Sequence, residues 1–119
     1  MRDARPPCVT CEPFDIVVVP FPFTDRDTTK RRPALVVSTR EFNTRHAQLV
    51  LAMITTTGGG WPSDVPIEEW RKAGLATACR VRLKLFTLDT ALIVKRVGTL
   101  SPRDAGAVGA ALERFLAAG

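Results

Sequence analysis

The sequence is poor in the side chains that serve most often as acids, bases and nucleophiles in hydrolases. His46 is its only histidine, so an acid–base site built on two histidines is excluded within one chain. No serine or cysteine lies in a motif typical of a nucleophile. Gly58-Gly59-Gly60 lacks the Lys-Ser/Thr that follows the glycines of a phosphate-binding P-loop. We therefore expect His46 to be a loop residue and the glycines to form a flexible loop.

Cysteines are also few, and their number is odd. Cys8 and Cys11 form a single CxxC pair, and only Cys79 and His46 remain to complete a zinc site, which needs about four ligands. No βαβ pattern precedes the pair, as a redox motif would require. We expect the three cysteines to be reduced and no metal to be bound by them.

Long hydrophobic runs and a secretory leader are missing as well. No apolar stretch approaches the roughly 18 residues of a membrane-spanning helix, and the first residues contain no apolar core of a signal peptide. We expect a cytoplasmic protein without membrane contact. Residues 1–13 contain three prolines and little periodicity, which predicts a flexible N-terminal arm before a single domain spanning 14–119.

Acidic residues are outnumbered by basic ones. The net charge is +5 and the isoelectric point is about 9.7, which favours a polyanionic partner such as nucleic acid or an acidic protein. Two acidic groups, Asp25 with Asp27 and Asp64 with Glu68 and Glu69, have the chemistry to bind magnesium. Acids beside cations are more often solvated loop residues, and we predict no metal site.

β-branched and apolar runs dominate the rest of the chain and predict a mainly β domain. Between the strands we expect a polar turn over Thr39–Gln48 anchored by Phe42, one helical turn over Glu68–Gly74, and a turn at Thr87–Thr90. A C-terminal helix is predicted after Ser101, with an apolar stripe through Ala105, Val108, Leu112 and Phe115. The predicted extended segments are Asp15–Val19, Pro33–Ser38, Leu49–Ile54, Asp64–Ile67, Cys79–Leu85 and Ala91–Val97. The expected fold is a twisted sheet or partly open barrel carrying one C-terminal helix.

Two polar residues lie where predicted strands begin and end. Pro33 biases Arg32 towards an extended backbone at the start of one strand, and Thr55 ends another. If the two strands are neighbours, a guanidinium and a hydroxyl meet at one edge of the sheet, a pair suited to a phosphate. Taken singly, Arg32 is better explained as a solvated loop cation and Thr55 as a strand-ending threonine.

A strictly alternating segment follows at Cys79–Leu85. It places Arg80, Arg82 and Lys84 on one face of a strand, which is either a solvated outer face or an anion-binding face.

Five stretches, in this order and spacing, resemble the PemK/MazF family of toxin–antitoxin ribonucleases. The resemblance extends from about Phe14 to Leu116, with one departure: many relatives begin the first strand with Gly-Asp, where this chain has Phe14-Asp15. The stretches are Asp15–Asp25, Lys30–Ser38, Ala52–Thr55, Val81–Asp89 and Gly98–Pro102.

The resemblance implies an SH3-like β-barrel that forms a homodimer and cuts single-stranded RNA without a cofactor or metal. It makes Arg32 and Thr55 the catalytic pair, with 2′,3′-cyclic phosphate and 5′-hydroxyl products. It also implies a cognate antitoxin whose acidic segment blocks the groove. Loops Thr24–Arg31 and Thr56–Ser63 are expected to select the RNA sequence. The expected RNA-binding residues are Lys30, Arg31, Arg82, Lys84 and Thr56.

Two other functions remain open at this stage. One is a non-enzymatic toxin on the same barrel that poisons DNA gyrase; such relatives rely on a C-terminal Trp-Gly-Ile, whereas this chain ends in Phe115-Leu-Ala-Ala-Gly119. The other is a family member that binds RNA or a partner without cutting.

Overall fold

A single six-stranded sheet with a C-terminal helix forms most of the protein. The computed structural model describes residues 11–21, 30–56 and 60–117, so the predictions made for Cys8, for Asp25 with Asp27, and for the loops at 22–29 and 57–59 lie outside it. Its elements are β1 Asp15–Phe21, β2 Lys30–Val36, α1 Arg40–His46, β3 Gln48–Thr55, β4 Val65–Pro66, β5 Arg80–Asp89, a 3-10 turn Thr90–Leu92, β6 Lys95–Thr99 and α2 Pro102–Phe115.

All strand pairs are antiparallel, in the order β4-β5-β3-β2-β1-β6. The sheet curls into a half-barrel. The mainly β class with a C-terminal helix is therefore confirmed. No helix in the described part of the chain is long and apolar enough to cross a membrane.

Both faces of the central strands carry apolar clusters, because alternate side chains of a strand point to opposite faces. A first cluster contains Val17, Ala34 and Leu51. A second cluster contains Leu35 and Ala52, together with residues of α2 and of the segments before β5. The strand predicted to be apolar on both faces, now β3, lies between β2 and β5, as a doubly buried strand should.

The helix α1 was missed by the sequence analysis, which expected a turn. Thr39 caps it by accepting the N–H of Phe42 at 3.2 Å, and Ala47 ends it in a left-handed conformation. Asn43 is its one buried residue and bonds to Ser38 and to the Cys11 carbonyl. A helix held by one polar residue shows no apolar stripe, so the pattern did not indicate it. His46 is consequently the last residue of a helix and not a loop residue.

Two strand boundaries also differ from those predicted. β5 continues through Thr87 to Asp89, and the chain turns at Thr90–Leu92. The last strand is Lys95–Thr99, four residues later than expected at its start. The polar stretch Thr87–Asp89 pairs with the beginning of β3, so its strand conformation comes from tertiary pairing rather than from local propensity.

The N-terminal residues that the structure describes pack against the domain. Cys11 is 2% exposed within the first cluster, and Glu12 forms an ion pair with Arg40. Cys11 is disulfide-bonded, whereas Cys79 is a free thiol. The expectation that the cysteines are reduced is therefore wrong for Cys11. Residues 1–10 of the predicted arm lie outside the described residues.

The segment 68–74 is fixed by a carboxylate at the start of α2. Asp104 is 1% exposed, and its two oxygens accept the N–H groups of Glu68 at 3.1 Å and Glu69 at 2.9 Å. The predicted helical turn is present, because the Ala73 N–H donates to the Glu69 carbonyl, and it ends at Gly74 with a φ of 91°. This anchoring holds the following residues, 75–77, beside the sheet edge described next.

Candidate active site

A pocket of about 240 Å³ opens where β2 begins and β3 ends. Arg32, Pro33, Thr55 and Thr56 line one side of it, and residues 75–77 with Cys79 line the other. Arg32 and Thr56 are exposed, and Thr55 is half-buried. The guanidinium and the hydroxyl that the sequence analysis expected to meet therefore share one cleft.

Strand register explains why these two residues meet. Ala34 lies opposite Met53 in the last pair of the antiparallel β2–β3 ladder, and the same register continued two residues further would set Arg32 against Thr55. Directly opposed residues of an antiparallel pair point to the same face of the sheet. The two side chains, 23 positions apart in sequence, are thus neighbours on one face.

Pro33 accounts for the opening between the two strands. The Val37 N–H donates to the Val50 carbonyl at 2.9 Å, and hydrogen-bonding positions recur every second residue along an antiparallel pair. Residue 33 is therefore the position whose N–H would donate to Ile54, but proline has none. The β2–β3 ladder stops at Ala34–Met53, while β2 stays paired with β1 as far as Lys30. The pocket lies in the resulting fork.

Two further arginines lie on the same face beside Thr55. Arg80 is directly opposite Thr55, and Arg82 is opposite Met53. Asp64 binds both: Arg80 Nε lies 2.9 Å from its Oδ2, and Arg82 Nε and Nη2 lie 3.1 and 2.9 Å from its two oxygens. The hydrogen bonds from Arg82, and then those from the Trp61 backbone and Arg80, outweigh desolvation and lower the pKa of Asp64. Asp64 is thus a structural counter-ion already held by two cations.

The expected row of three cations is broken by a bulge. Ala52 pairs with Leu85 and the next residue, Met53, pairs with Arg82, so residues 83 and 84 have no opposed partner on β3. The alternation predicted for Cys79–Leu85 therefore holds only as far as Arg82. Lys84 is exposed within the bulge, apart from the Arg80–Arg82 pair. Arg80 was overlooked as a site residue, although its place opposite Thr55 follows once the β3–β5 pairing is known.

The remaining candidate residues are distributed around this end of the sheet. Lys30 and Arg31 are exposed at the start of β2, next to Arg32. His46 is at the other end of β3, where it contacts the Phe42 ring. Burial raises the pKa of the Cys79 thiol, so at neutral pH it is protonated and a poor nucleophile. Among the described residues that line the pocket, none is a histidine, carboxylate or lysine.

Comparison with known proteins places this geometry in a family. A family model described as the PemK-like, MazF-like toxin of type II toxin–antitoxin systems matches residues 12–116. Among curated proteins, none matches the sequence significantly.

Three solved structures illustrate the similarity of fold. An endoribonuclease in complex with its cognate antitoxin, from a mycobacterial species, has a TM-score of 0.70 and 18% identity, covering 88% of this chain and 91% of its own. A MazE–MazF crystal structure from Deinococcus radiodurans has a TM-score of 0.69 and 20% identity, covering 90% and 96%. The toxin MazF-mt6 of Mycobacterium tuberculosis has a TM-score of 0.63 and 24% identity, covering 84% and 93%. At these identities the similarity establishes the fold.

Proposed function

Because the chain belongs to the PemK-like, MazF-like toxins of type II toxin–antitoxin systems, we propose that it is an endoribonuclease acting on single-stranded RNA. The observation that carries the proposal is the shared pocket of Arg32 and Thr55. Similar structures are described as an endoribonuclease with its antitoxin and as MazF toxins, which supports the same activity here.

The proposed reaction is an internal transfer of a phosphodiester. The ribose 2′-oxygen attacks the adjacent phosphorus, so an O2′–P bond forms and the P–O5′ bond breaks. The products are a 2′,3′-cyclic phosphate and, once the leaving oxygen takes up a proton, a 5′-hydroxyl. Negative charge grows on the non-bridging phosphate oxygens during attack, and a site that stabilises this charge accelerates the reaction.

Arg32 and Thr55 have the chemistry for that task. A guanidinium donates two parallel N–H bonds to phosphate oxygens, and the Thr55 hydroxyl adds a third donor. Because an arginine side chain stays protonated, Arg32 is assigned to charge stabilisation only; the 2′-hydroxyl gives its proton to solvent water, and the leaving 5′-oxygen takes one up from it. These donors supply positive charge without a metal ion, so we propose a metal-independent reaction.

Exposed cations around the pocket are proposed to hold the RNA backbone. Lys30 and Arg31 precede Arg32 on the same strand, and Lys84 is exposed on β5. Arg82 adds positive charge opposite Met53, two residues before Thr55, and Thr56 lines the pocket itself. We assign RNA binding to these five residues.

The proposal includes two protein partners. One is a second copy of the chain, forming a homodimer. The other is a cognate antitoxin, whose acidic segment would occupy the cationic pocket and exclude RNA; the net charge of +5 favours such a segment.

An acidic antitoxin peptide should inhibit cleavage competitively, and rising salt should relieve the inhibition. Inhibition that is non-competitive and unaffected by salt would place the antitoxin elsewhere.

The direct test is incubation of single-stranded RNA with the protein and excess EDTA, followed by analysis of the product ends. We expect cyclic phosphate and 5′-hydroxyl ends, with a rate reduced about 10²–10³-fold in Arg32→Ala. Arg45→Ala is the matched control, because Arg45 is an exposed cation on α1 paired only locally with Glu41 among the described contacts. Uncut RNA, or unchanged cutting by Arg32→Ala, would reject the proposal. DNA cleavage in the presence of gyrase would indicate a gyrase poison instead.

A further inference from the structure

Trp61 is a large aromatic side chain left substantially exposed next to Arg82 of β5. Its side chain lies in the loop between β3 and β4 and is 43% exposed. The loop residue that follows it is Pro62, which restricts Trp61 to an extended backbone. Contact between this much apolar surface and water is unfavourable, and packing within the described part of the chain leaves the surface exposed.

The indole is nevertheless held in place. The backbone is fixed first: the main-chain N–H of Trp61 donates to Asp64 Oδ2 at 3.0 Å, and the main-chain N–H of Asp64 donates to the Trp61 carbonyl at 3.0 Å. The guanidinium of Arg82 lies over the ring, 5.1 Å from its centre. Arg82 is itself fixed by its two bonds to Asp64. The ring is therefore preorganised, although it belongs to a loop.

The same network connects the ring to the pocket. Arg80 binds the Asp64 oxygen that accepts the Trp61 N–H, and Arg80 lies directly opposite Thr55. Two side chains, Asp64 and Arg80, thus lie between Trp61 and the hydroxyl assigned to the scissile phosphate. With one carboxylate between two guanidiniums, the cluster retains a net positive charge, which favours an anionic strand passing over it.

We propose that Trp61 is a stacking platform for one unpaired base of the RNA, next to the phosphate held by Arg32 and Thr55. This inference rests on the proposed function, since it takes single-stranded RNA as the ligand. Aromatic side chains beside a cationic groove bind single strands in this way, largely irrespective of sequence, because every base has a π-face. Asp64 is a positioning residue: it fixes the loop and the guanidinium that hold the indole.

The test uses fluorescence of the indole itself. Trp70 is the only other tryptophan, so Trp70→Phe makes the emission specific for Trp61 while keeping an aromatic ring in its place. The first probe is a random-sequence 2′-O-methyl oligonucleotide of about eight nucleotides, within the range of single-strand sites, which binds but lacks the attacking hydroxyl. The second is an abasic oligonucleotide with the same number of phosphates.

Stacking predicts quenching by the first probe and none by the second. Trp61→Ala should weaken binding of the base-bearing probe roughly 5- to 150-fold and leave binding of the abasic probe unchanged. Trp61→Phe should lose less affinity for the base-bearing probe, because phenylalanine keeps a π-face. The slope of log affinity against log salt should stay the same in Trp61→Ala, since no phosphate contact is removed.

Equal quenching by both probes, or undiminished affinity in Trp61→Ala, would overturn the inference. So would equal weakening of both probes, which would mean that the substitution deforms the site. Trp61→Phe guards against misfolding, because it preserves the ring over Arg82. If the base-bearing probe quenches Trp61 but unmodified RNA is not cut, stacking stands and the nuclease proposal fails. If neither probe binds, both fail.

Discussion

Phe14 adopts a left-handed backbone conformation, with a φ of 71°. The resemblance to the family indicated that glycine is common at this position, and glycine adopts such a φ without steric cost. The conformation is imposed by pairing on both sides: the Phe14 N–H donates to the Val36 carbonyl at 2.7 Å, and its own carbonyl accepts from Leu100 at 3.0 Å. Its ring packs against the second cluster, which offsets part of the strain.

Phe14→Gly and Phe14→Ala should therefore reverse the usual order of stability. Both remove the ring, but only glycine relieves the strain, about 1–2 kcal/mol for an L-residue in this region. In chemical denaturation we expect Phe14→Gly to be more stable than Phe14→Ala by about 1 kcal/mol. At most positions the order is the opposite, because glycine gives the unfolded chain more conformational entropy than alanine does. Greater stability of Phe14→Ala would show that position 14 is not strained.

Asp64 should make stability depend on pH in the acid range. The pKa of Asp64 in the folded protein is lowered, chiefly by the hydrogen bonds from Arg82. As pH falls, Asp64 therefore takes up a proton at a higher pH in the unfolded chain than in the folded protein. The stabilisation is fully present above the unfolded value of about 3.9 and is lost as pH falls through the lower folded value.

Asp64→Asn should remove this dependence. The difference in unfolding free energy between the original protein and the variant should be constant from neutral pH to about pH 5 and shrink below about pH 4. Denaturant titrations across this range measure it. A difference that stays constant down to about pH 2.5, well below the pKa of an unfolded aspartate, would mean that Asp64 does not couple folding to protonation.

Among the strands, Pro33 ends the β2–β3 ladder and so leaves the fork that holds the pocket. Pro33→Ala would supply the missing N–H, allow a bond to the Ile54 carbonyl and extend the ladder towards Arg32 and Thr55. We expect the fold to be retained and cleavage to slow, by up to about 10²-fold if the two donors shift by 1 Å. Rates should be measured at saturating RNA. A variant as fast as the original would show that the fork does not depend on the proline.

Much of the element order was predictable, because strands with β-branched runs and a capped, amphipathic α2 carry strong local signals. Ser101 does accept the N–H of Asp104, as the cap prediction required. The convergence of Arg32 and Thr55 needs β2 and β3 to be neighbours, which the sequence analysis stated as a condition, and it also needs their antiparallel register, which only the structure supplies.

Other features depended on contacts that local pattern does not encode. The bulge at residues 83–84 arises from pairing with β3, and the engagement of Arg80 and Arg82 by Asp64 joins segments 16 and 18 residues apart. Without these contacts, the alternating pattern predicts the cations of β5 as one row on the same face of the strand. The helix α1 was not predicted because a buried asparagine, and not an apolar stripe, anchors it.

At the scale of the molecule, the excess of positive charge should appear as a salt dependence of RNA binding. Each phosphate contact contributes a slope of about −0.7 to log affinity against log salt for a single strand. Lys30→Ala combined with Arg31→Ala should therefore reduce the slope by about 1.4 if both contact phosphates.

The control for this measurement is Arg45→Ala, which changes the same charge at the far end of the sheet. Arg45 precedes β3, whose first residue, Gln48, is seven steps and thus about 24 Å from Thr55, more than two Debye lengths at physiological salt. Its slope should match that of the original protein. An equal reduction by Arg45→Ala would mean that RNA senses the total charge and not the cations beside the pocket.

The central claim is that Arg32 and Thr55 act on one phosphate, and a double-mutant cycle tests it most directly. Single-turnover cleavage of RNA in EDTA should be measured for Arg32→Ala, Thr55→Val and the double variant, with Arg45→Ala alongside. Groups that act as a unit lose activity non-additively, so the double variant should be little slower than the slower single variant. Fully multiplicative losses, or no loss in Thr55→Val, would contradict the claim.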